Sequence, residues 1–485
     1  MATEESVKGS EDYSGMARSG FRLKQSWTAR IASWLVRHLV FPVWIRRDHP
    51  KCLAYAREFE RTQFLPKAEL EALQLRRLQE LLQHAKEHCP FYALRLEQAG
   101  IVPEKLGSLE QFSRLPALTK RDIQDHGPDL QARDFPEEKR KRNQTGGSTG
   151  SPLQFYVDVE RFDSRKASTY RHDLWSGVRP GDWRISLWGS RLDQGRPENW
   201  WDHLRNNLLY RIVALNTSKI TDADWSKFVS EIRRLKPRAM VAYTQAAVAF
   251  ARYLRQQKIG DIQIDSIVTT AEMLLPGQRE FLEETFGGKV FNRYGCREVS
   301  VIASECEFHR GMHVNADALL VEIVPDASRP GRAGRILVTD LLNYSMPLIR
   351  YEIGDVGEWT EDQNCPCGRQ LPLLADVQGR ITDFLVLSDG RQISGPALTL
   401  VVSDMADVRQ VQFVQRAPDL VLLRVVPGKD YGPATEQELR KRIGLYFEGR
   451  AELQIQLTDS IASEISGKYG FVIHENAEPQ MSNSN

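Results

Sequence analysis

The sequence predicts an α/β fold: a large N-terminal layered α/β domain with a β-subdomain, followed by a small C-terminal α+β domain. Three observations predict it. The chain has 485 residues, more than the ~100–200 of an ordinary domain, so two or more units are expected. From about residue 110 to about 375, short β-branched or aromatic runs alternate with helical patterns, as layered α/β structure requires. Beyond Gly379 the pattern restarts as a shorter series of strands around one helix.

In chain order, residues 1–25 are polar and lack apolar periodicity, which predicts disorder. The large domain is expected over 26–378, with a helical and apolar arm over 26–100. Ile31 to Arg46 places Trp34, Leu35, Val40, Phe41 and Trp44 on one predicted helix. From Lys67 to about Leu96, Leu70, Leu73, Leu78, Leu81, Leu82 and Ala85 recur at helical spacing, and Pro90 closes or kinks that helix. Strand-like runs follow at Gln154–Val157, Arg184–Trp188, Ala239–Val241, Ser266–Thr269 and Val290–Asn292, with helical stretches Asp224–Leu235 and Gly277–Phe286 between them. Leu319–Val324 and Gly334–Thr339 read as the β-subdomain. The small domain is expected over 379–477, built from Phe384–Leu387, Val408–Gln415, Leu420–Val426, a helix Thr435–Phe447 and Leu453–Leu457, with a loose tail over 478–485.

Composition narrows the function. Hydrophobic residues make up 41% and charged residues 27% of the chain, the profile of a soluble globular protein. Sixty-five basic against 64 acidic residues give a net charge of +1, which offers no reason to expect nucleic acid as a partner. The opening MATEESVKGSEDYSG has neither the basic start nor the apolar centre of a secretory signal. Six cysteines in this length do not describe a disulfide framework, and the cytoplasm is the expected compartment. The longest apolar stretch, Ile31–Ile45, is broken by Arg37, His38 and Pro42 and is shorter than the ~20 residues that span a bilayer. It has two readings: an apolar arm docked on the large domain, or a peripheral membrane contact through 31–45, with Trp34, Phe41 and Trp44 flanked by Arg30, Arg37, Arg46 and Arg47.

Five short motifs carry chemistry. Thr145-Gly146-Gly147-Ser148-Thr149-Gly150 lets backbone approach an anion while hydroxyls donate to phosphate oxygens. It lacks the Lys-Ser/Thr pair of a Walker loop, and a plain surface loop is the alternative. Tyr294-Gly295-Cys296-Arg297-Glu298 follows a strand-like run, where a carboxylate can hold Mg²⁺ against ATP phosphates. Tyr351-Glu352-Ile353-Gly354-Asp355 and Gly379-Arg380-Ile381-Thr382-Asp383 set Asp in glycine turns, which suits a sugar diol with an Arg nearby. Ser466-Gly467-Lys468 offers a Lys that could reach an α-phosphate. Each motif alone also fits a solvated turn. Trp175, Trp183, Trp188, Tyr243 and Tyr294 suit either an aromatic-lined pocket or a core. Cys306, His313, Cys365 and Cys367 make a Cys₃His set suited to a closed structural Zn²⁺ site, with His309 as a competing ligand. The C-x-C spacing is narrower than the usual C-x₂-C, and unrelated reduced thiols are the alternative. Cys52 and Cys89 read as packing residues.

In order and approximate spacing, the five motifs resemble those of the adenylate-forming superfamily of acyl-CoA synthetases and adenylation domains. The run LQLRRLQELLQHAKEHCPFYALRL and the ending ISGKYGFVI resemble its phenylacetate–CoA ligase and CapK-like branch. The resemblance covers about residues 50–475 and implies an ATP-dependent ligase that activates a carboxylic acid as acyl-AMP. Carried over residue by residue, it implies that Gly146, Gly147, Ser148, Thr149 and Gly150, with Thr145, wrap the β- and γ-phosphates. Glu298 would hold Mg²⁺, Tyr294 would line the adenine, and Thr270-Ala271-Glu272 would form the adenine-side strand end. Asp355 would bind the ribose with Arg380, Asp383 would be the hinge, and Lys468 would bridge the α-phosphate and the substrate carboxylate. Some members of the branch carry zinc at the Cys₃His positions. Arg297 and Glu352 depart from the usual Ser/Thr and Arg and place unfamiliar charges near the nucleotide.

The acceptor stays open at this stage. Coenzyme A is implied by the branch; an amine or hydroxyl of a sugar, amino acid or cofactor is the alternative. A non-catalytic nucleotide-binding or membrane-surface assembly protein is the reading of another class. Because every nucleotide motif lies beyond residue 140, removal of residues 1–47 is expected to leave adenylation intact.

Overall fold

The computed structural model describes residues 27–144, 153–188, 200–216, 222–274, 277–325, 332–380, 384–389, 392–394, 398, 405, 407–461 and 471–475. It opens with α1 (Trp27–Leu35), a π-turn at Val36–Val40 and α2 (Phe41–Asp48). Pro42 lacks an N–H and its ring crowds the carbonyl four residues back, so the one predicted helix widens by a π-turn just ahead of it. One face of this arm is docked: Val36 and Ile45 are buried, and Arg37 donates to Asp182 over 3.1 Å. Gly181 lets the arm approach closely, since a Cβ there would lie 2.6 Å from the carbonyl oxygen of Ser33.

Helices α3 (Cys52–Thr62), α4 (Lys67–His88), α5 (Pro90–Gln98), α6 (Leu109–Phe112) and α7 (Lys120–His126) follow. The expected helix over 67–96 divides at Pro90, which ends α4 at His88 and serves as a first-turn residue of α5. Leu70, Leu78, Leu81, Leu82 and Ala85 of α4 are buried, as their spacing predicts. Cys52 and Cys89 are fully buried among apolar neighbours, and burial pushes both thiols up to about 12.

Strands β1 (Arg140–Gln144) and β2 (Gln154–Asp158) pair antiparallel. Then come α8 (Val159–Trp175), β3 (Arg184–Trp188), α9 (Trp200–Arg205) with a π-turn at Asn206–Tyr210, and β4 (Ile212–Asn216). The alternation continues through α10 (Asp222–Leu235), β5 (Ala239–Tyr243), α11 (Thr244–Gln256), β6 (Ser266–Thr270), α12 (Gln278–Phe286) and β7 (Lys289–Cys296). The rest of the main sheet is β8 (Ser300–Glu305), β9 (Met312–Val314), β10 (Leu319–Pro325), β11 (Gly334–Asp340), β12 (Tyr351–Trp359) and β13 (Leu373–Arg380). Its order is β10-β11-β12-β13-β9-β8-β7-β6-β5-β3-β4. From β4 to β7 the neighbours are parallel with helices as crossovers; from β7 onward they are antiparallel.

Helix α8 buries charge rather than an apolar stripe. Arg161 and Arg165 pair with Asp340 at 2.7 and 3.5 Å, Arg171 with Asp317 at 2.5 Å, and Arg293 of β7 with Asp173 of α8 at 2.7 Å. Asp317 also accepts from Thr62 over 2.5 Å, which ties α3 to α8. Such pairs gain little net stability over apolar packing but are costly to break on one side.

A further group of strands has its own core. Strands β14 (Phe384–Val386) and β15 (Gln392–Ser394) form a hairpin. Strands β16 (Val408–Ala417), β17 (Leu420–Pro427), β18 (Glu452–Leu457) and β19 (Val472–His474) form a sheet in the order β18-β17-β16-β19. Helix α13 (Pro433–Phe447) buries Leu439, Ile443 and Phe447 in an apolar cluster with Phe413 and Leu423, separate from the clusters of the large sheet.

Candidate active site and metal centre

The parallel and antiparallel halves of the sheet meet at β7, and the carboxyl ends of β5, β6 and β7 open there. That is where an α/β sheet offers a crevice for a ligand. Tyr294, Gly295 and Cys296 close β7, and a turn carries Arg297 and Glu298 into β8. Gly295 has no room for a side chain: a Cβ would lie 2.5 Å from the carbonyl oxygen of Ser300.

Two tyrosines join this corner to β12. The Tyr294 hydroxyl donates to Asp355 Oδ2 over 2.7 Å, and the Tyr351 hydroxyl donates to Glu298 Oε1 over 3.0 Å. Strands β7 and β12 stand four positions apart in the sheet order, which on a flat sheet is ~19 Å at ~4.8 Å per strand. Tyrosine side chains cannot bridge that distance, so the antiparallel half curls until β12 faces β7. Burial first, and the adjoining carboxylate second, push both phenols above their ordinary range and keep them as donors. The Cys296 thiol is pushed up by burial and by Glu298 beside it.

Local backbone explains the aim of Asp355. Gly354 has φ +92, a conformation that a side chain strains, and β12 slips register between Asp355 and Gly357. The bulge turns Asp355 toward Tyr294 and sets it opposite Arg380 of β13. Glu352 points to Arg335, which donates to it over 3.0 Å, so its unfamiliar charge is neutralised on the neighbouring strand. Ala271 sits at φ +68 just past β6, an uncommon conformation for a residue with a side chain. Its neighbour Glu272 accepts from the Gln245 N–H over 2.8 Å at the start of α11, a favourable place for a carboxylate. Thr145, Gly146, Gly147, Ser148, Thr149, Gly150, Asp383 and Lys468 lie outside the described residues, as does the side chain of Arg380. The segment 145–153 joins β1 to β2, whose ends Gln144 and Gln154 face each other.

Residues without a motif also hold the site. Arg165 donates to the carbonyls of Arg297 and Glu298, and Arg161 to that of Val299 over 3.4 Å. Helix α8 thus fixes the turn that presents Glu298. The sequence signal was two arginines four apart on the helix that follows the glycine-rich loop. Of the five aromatics, Trp188 and Tyr243 meet at 4.5 Å at the carboxyl ends of β3 and β5. Trp183 lies before β3, under Arg211, and Trp175 packs beside His172 and His313. The five do not line one pocket, because Trp183 and Trp188 bracket opposite ends of one strand.

Cys306, His313, Cys365 and Cys367 offer four ligand atoms within 4.8 Å of one another. Cys306 and Cys365 sulfurs are 3.6 Å apart, and Cys367 Sγ lies 3.3 Å from His313 Nε2. Tetrahedral zinc at its usual bond lengths demands edges of ~3.8 and ~3.5 Å. His313 Nδ1 faces the Leu371 carbonyl at 3.3 Å, which leaves Nε2 for a metal. Gly368, at φ +78, closes the C-x-C turn by donating to the Cys365 carbonyl over 3.0 Å. The residues therefore fit Zn²⁺. His309 is turned away toward Glu305, at 3.3 Å, and is not in the group.

Known proteins resemble the chain in sequence and fold. The family model of the CapK C-terminal domain matches residues 385–475. Phenylacetate–coenzyme A ligase of Thermus thermophilus is 27% identical over 332 residues, 67% of this chain and 73% of the relative. Protein CapK of Staphylococcus aureus is 22% identical over 420 residues, covering 84% and 89%. A 2-hydroxyisobutyryl-CoA ligase, solved in the postadenylation state in complex with R3-HIB-AMP, superposes with a TM-score of 0.70 at 25% identity, covering 86% of this chain and 92% of that one. In sequence and fold the chain is similar to the adenylate-forming superfamily and, within it, to the phenylacetate–CoA ligase and CapK-like branch. The large sheet and the strands from Phe384 onward are the fold of an adenylate-forming ligase with its C-terminal domain.

Proposed function

We propose that the chain activates a carboxylic acid with ATP, releasing pyrophosphate, and passes the acyl group from the acyl-AMP to coenzyme A. The observation that carries this reading is the pairing of Tyr294 with Asp355 and of Tyr351 with Glu298 across the curled sheet. It brings two carboxylates to one crevice: Asp355, which in this reading binds the sugar, and Glu298, which in this reading serves the phosphate side. The relatives support it: two are CoA ligases, and one was solved with an acyl-adenylate-type ligand.

In this reading Asp355, oriented by Tyr294 and joined by Arg380, accepts from the ribose hydroxyls, and Tyr294 and Ala271 flank the adenine. Glu272 holds the strand end rather than the base. Thr145 through Gly150 wrap the β- and γ-phosphates. Glu298 would hold Mg²⁺, which when bound neutralises phosphate charge. The substrate carboxylate attacks the α-phosphorus while Lys468 aligns it and spreads charge from the phosphoryl oxygens. Residues 379–477 then act as a small domain that turns about Asp383, withdraws Lys468 and admits the thiol. Cys306, His313, Cys365 and Cys367 would hold a structural zinc. The pools of ATP and coenzyme A, and the reduced thiols, favour the cytoplasm.

A pyrophosphate-release screen over aryl, fatty, amino and sugar acids, with and without coenzyme A, tests this. Release with one acid class, and thioester formation when coenzyme A is added, is the expected result. Acyl-AMP that accumulates despite coenzyme A and is consumed by an amine or hydroxyl would move the acceptor. ATP or AMP binding with no release for any acid would establish a non-catalytic member.

A further inference from the structure

Half of the large apolar side chains that the described residues leave exposed fall in two short segments. Trp27, Ile31, Leu35, Leu39 and Val43 recur every fourth residue along α1, its π-turn and α2. Trp200, Leu204 and Leu208 do so along α9 and its π-turn. In an α-helix a row at this spacing drifts ~40° per step. A π-turn winds more slowly and brings the row back. Each segment carries one, so each keeps an apolar stripe on its outer side.

The two stripes sit side by side. Arg211, which ends the second segment, reaches Ser33 Oγ at 3.3 Å, and the Trp44 and Tyr210 rings meet edge-on at 5.4 Å. The opposite faces are committed to the core through Val36, Ile45 and Leu209. The stripes are therefore held outward on a fixed frame. Their junction, at Ser33, Arg37 and Arg211, lies beside Gly181 and Asp182, which precede β3. That is the end of the sheet away from Tyr294 and Glu298.

Charge decides the occupant. Residues 27–47 hold four arginines and no acidic residue, and Arg30, Arg46 and Arg47 are exposed. Exposed tryptophans beside arginines suit the headgroup level of a bilayer. A second copy seated two-fold on the same face would set these arginines against each other. Among the described residues no helix is long and apolar enough to cross a membrane, so contact would be in the plane of the surface. From this we infer that the joined stripes of α1–α2 and α9 form a docking surface for an anionic lipid bilayer, with the nucleotide crevice facing away from it. The inference is independent of which reaction the crevice performs.

The test is co-sedimentation of the full chain with vesicles of phosphatidylcholine alone or mixed with phosphatidylglycerol. The chain should pellet with the anionic vesicles, less with phosphatidylcholine, and less again at high salt. Leu39→Glu with Leu208→Glu should lower partition about tenfold or more, with an unchanged melting temperature because both side chains are exposed. Arg30→Gln with Arg46→Gln should remove the preference for phosphatidylglycerol. A chain that stays in the supernatant with both vesicles, or a glutamate variant that binds as well as the parent, overturns the inference. So does a solution dimer, seen by light scattering, that the glutamates dissolve while no vesicle binding occurs; the face would then belong to a second copy.

Discussion

Tyr351→Phe removes one oxygen from a side chain that is 2% exposed and leaves its ring and its place opposite Val338 intact. The loss falls on Glu298, whose Oε1 accepts from that hydroxyl over 3.0 Å and which is itself 8% exposed. Water reaches such a carboxylate poorly, so the donor is not simply replaced. A hydrogen bond to a charged group contributes ~1.5–3 kcal/mol. If Glu298 holds the magnesium of Mg·ATP, its lost orientation should raise the half-saturating Mg²⁺ concentration about 10- to 100-fold, at ~1.4 kcal/mol per decade. Pyrophosphate release against magnesium concentration reads this, and calorimetry on the free chain reads the accompanying loss of stability. A variant that melts earlier but keeps its magnesium response would make the hydroxyl structural only. A variant unchanged in both would mean that another donor, the Cys296 thiol being nearest in kind, takes its place, and the reasoning from this contact would fail.

Other outcomes follow from the same geometry. Lys468→Ala should slow acyl-AMP formation on the order of 10²–10³-fold yet complete transfer from supplied acyl-AMP at near the normal rate; equal damage to both half-reactions would refute alternation of the small domain. Protein purified without added metal should contain about one zinc per chain, and Cys367→Ser should lose both the metal and thermal stability. Metal-free protein of full stability would show the four side chains to be an ordinary thiol cluster. Deleting residues 1–47 should lower stability by several kcal/mol, because Val36 and Ile45 are buried at ~1.5–3 kcal/mol each and Asp182 loses Arg37. This narrows the expectation that the deletion leaves adenylation intact and affects only localisation or solubility, since stability is lost as well. Equal melting of the truncated and full chains would restore it.

Periodicity carried the fold far. The strand-like runs at Arg184–Trp188, Ala239–Val241, Ser266–Thr269 and Val290–Asn292 became successive neighbours in the parallel half of the sheet, since β-branched runs between helical patterns have few other ways to pack. Pattern said nothing about the curl that brings β12 against β7, because curl depends on long-range register and bulges such as the one between Asp355 and Gly357. Helix α8 was opaque for the reverse reason. Its sequence is rich in charge and reads as solvated, yet Arg161, Arg165 and Arg171 are buried against Asp340 and Asp317. Their partners lie more than 140 residues away, and an ion pair leaves no period in the sequence. Glu352 shows the same limit. It is an odd charge when read alone and an ordinary cross-strand partner once Arg335 is beside it.

The position of the Cys₃His group gives it a purpose in this architecture. Between β12, which bears Asp355, and β8, which follows Glu298, the sheet runs through β13 and β9. Strand β9 is three residues long and meets β13 at only two register pairs, Leu373 with His313 and Leu374 with Met312. That is a weak seam in the part of the sheet that must curl. The four ligands lie across it: Cys306 just after β8, His313 on β9, and Cys365 and Cys367 in the connection from β12 to β13. A metal held there would fasten both sides of the seam. It would also fix the register by which Tyr351 finds Glu298 and Tyr294 finds Asp355. The Cys₃His group and the carboxylates of Asp355 and Glu298, far apart in the sequence, would then be two ends of one constraint on the same curled sheet.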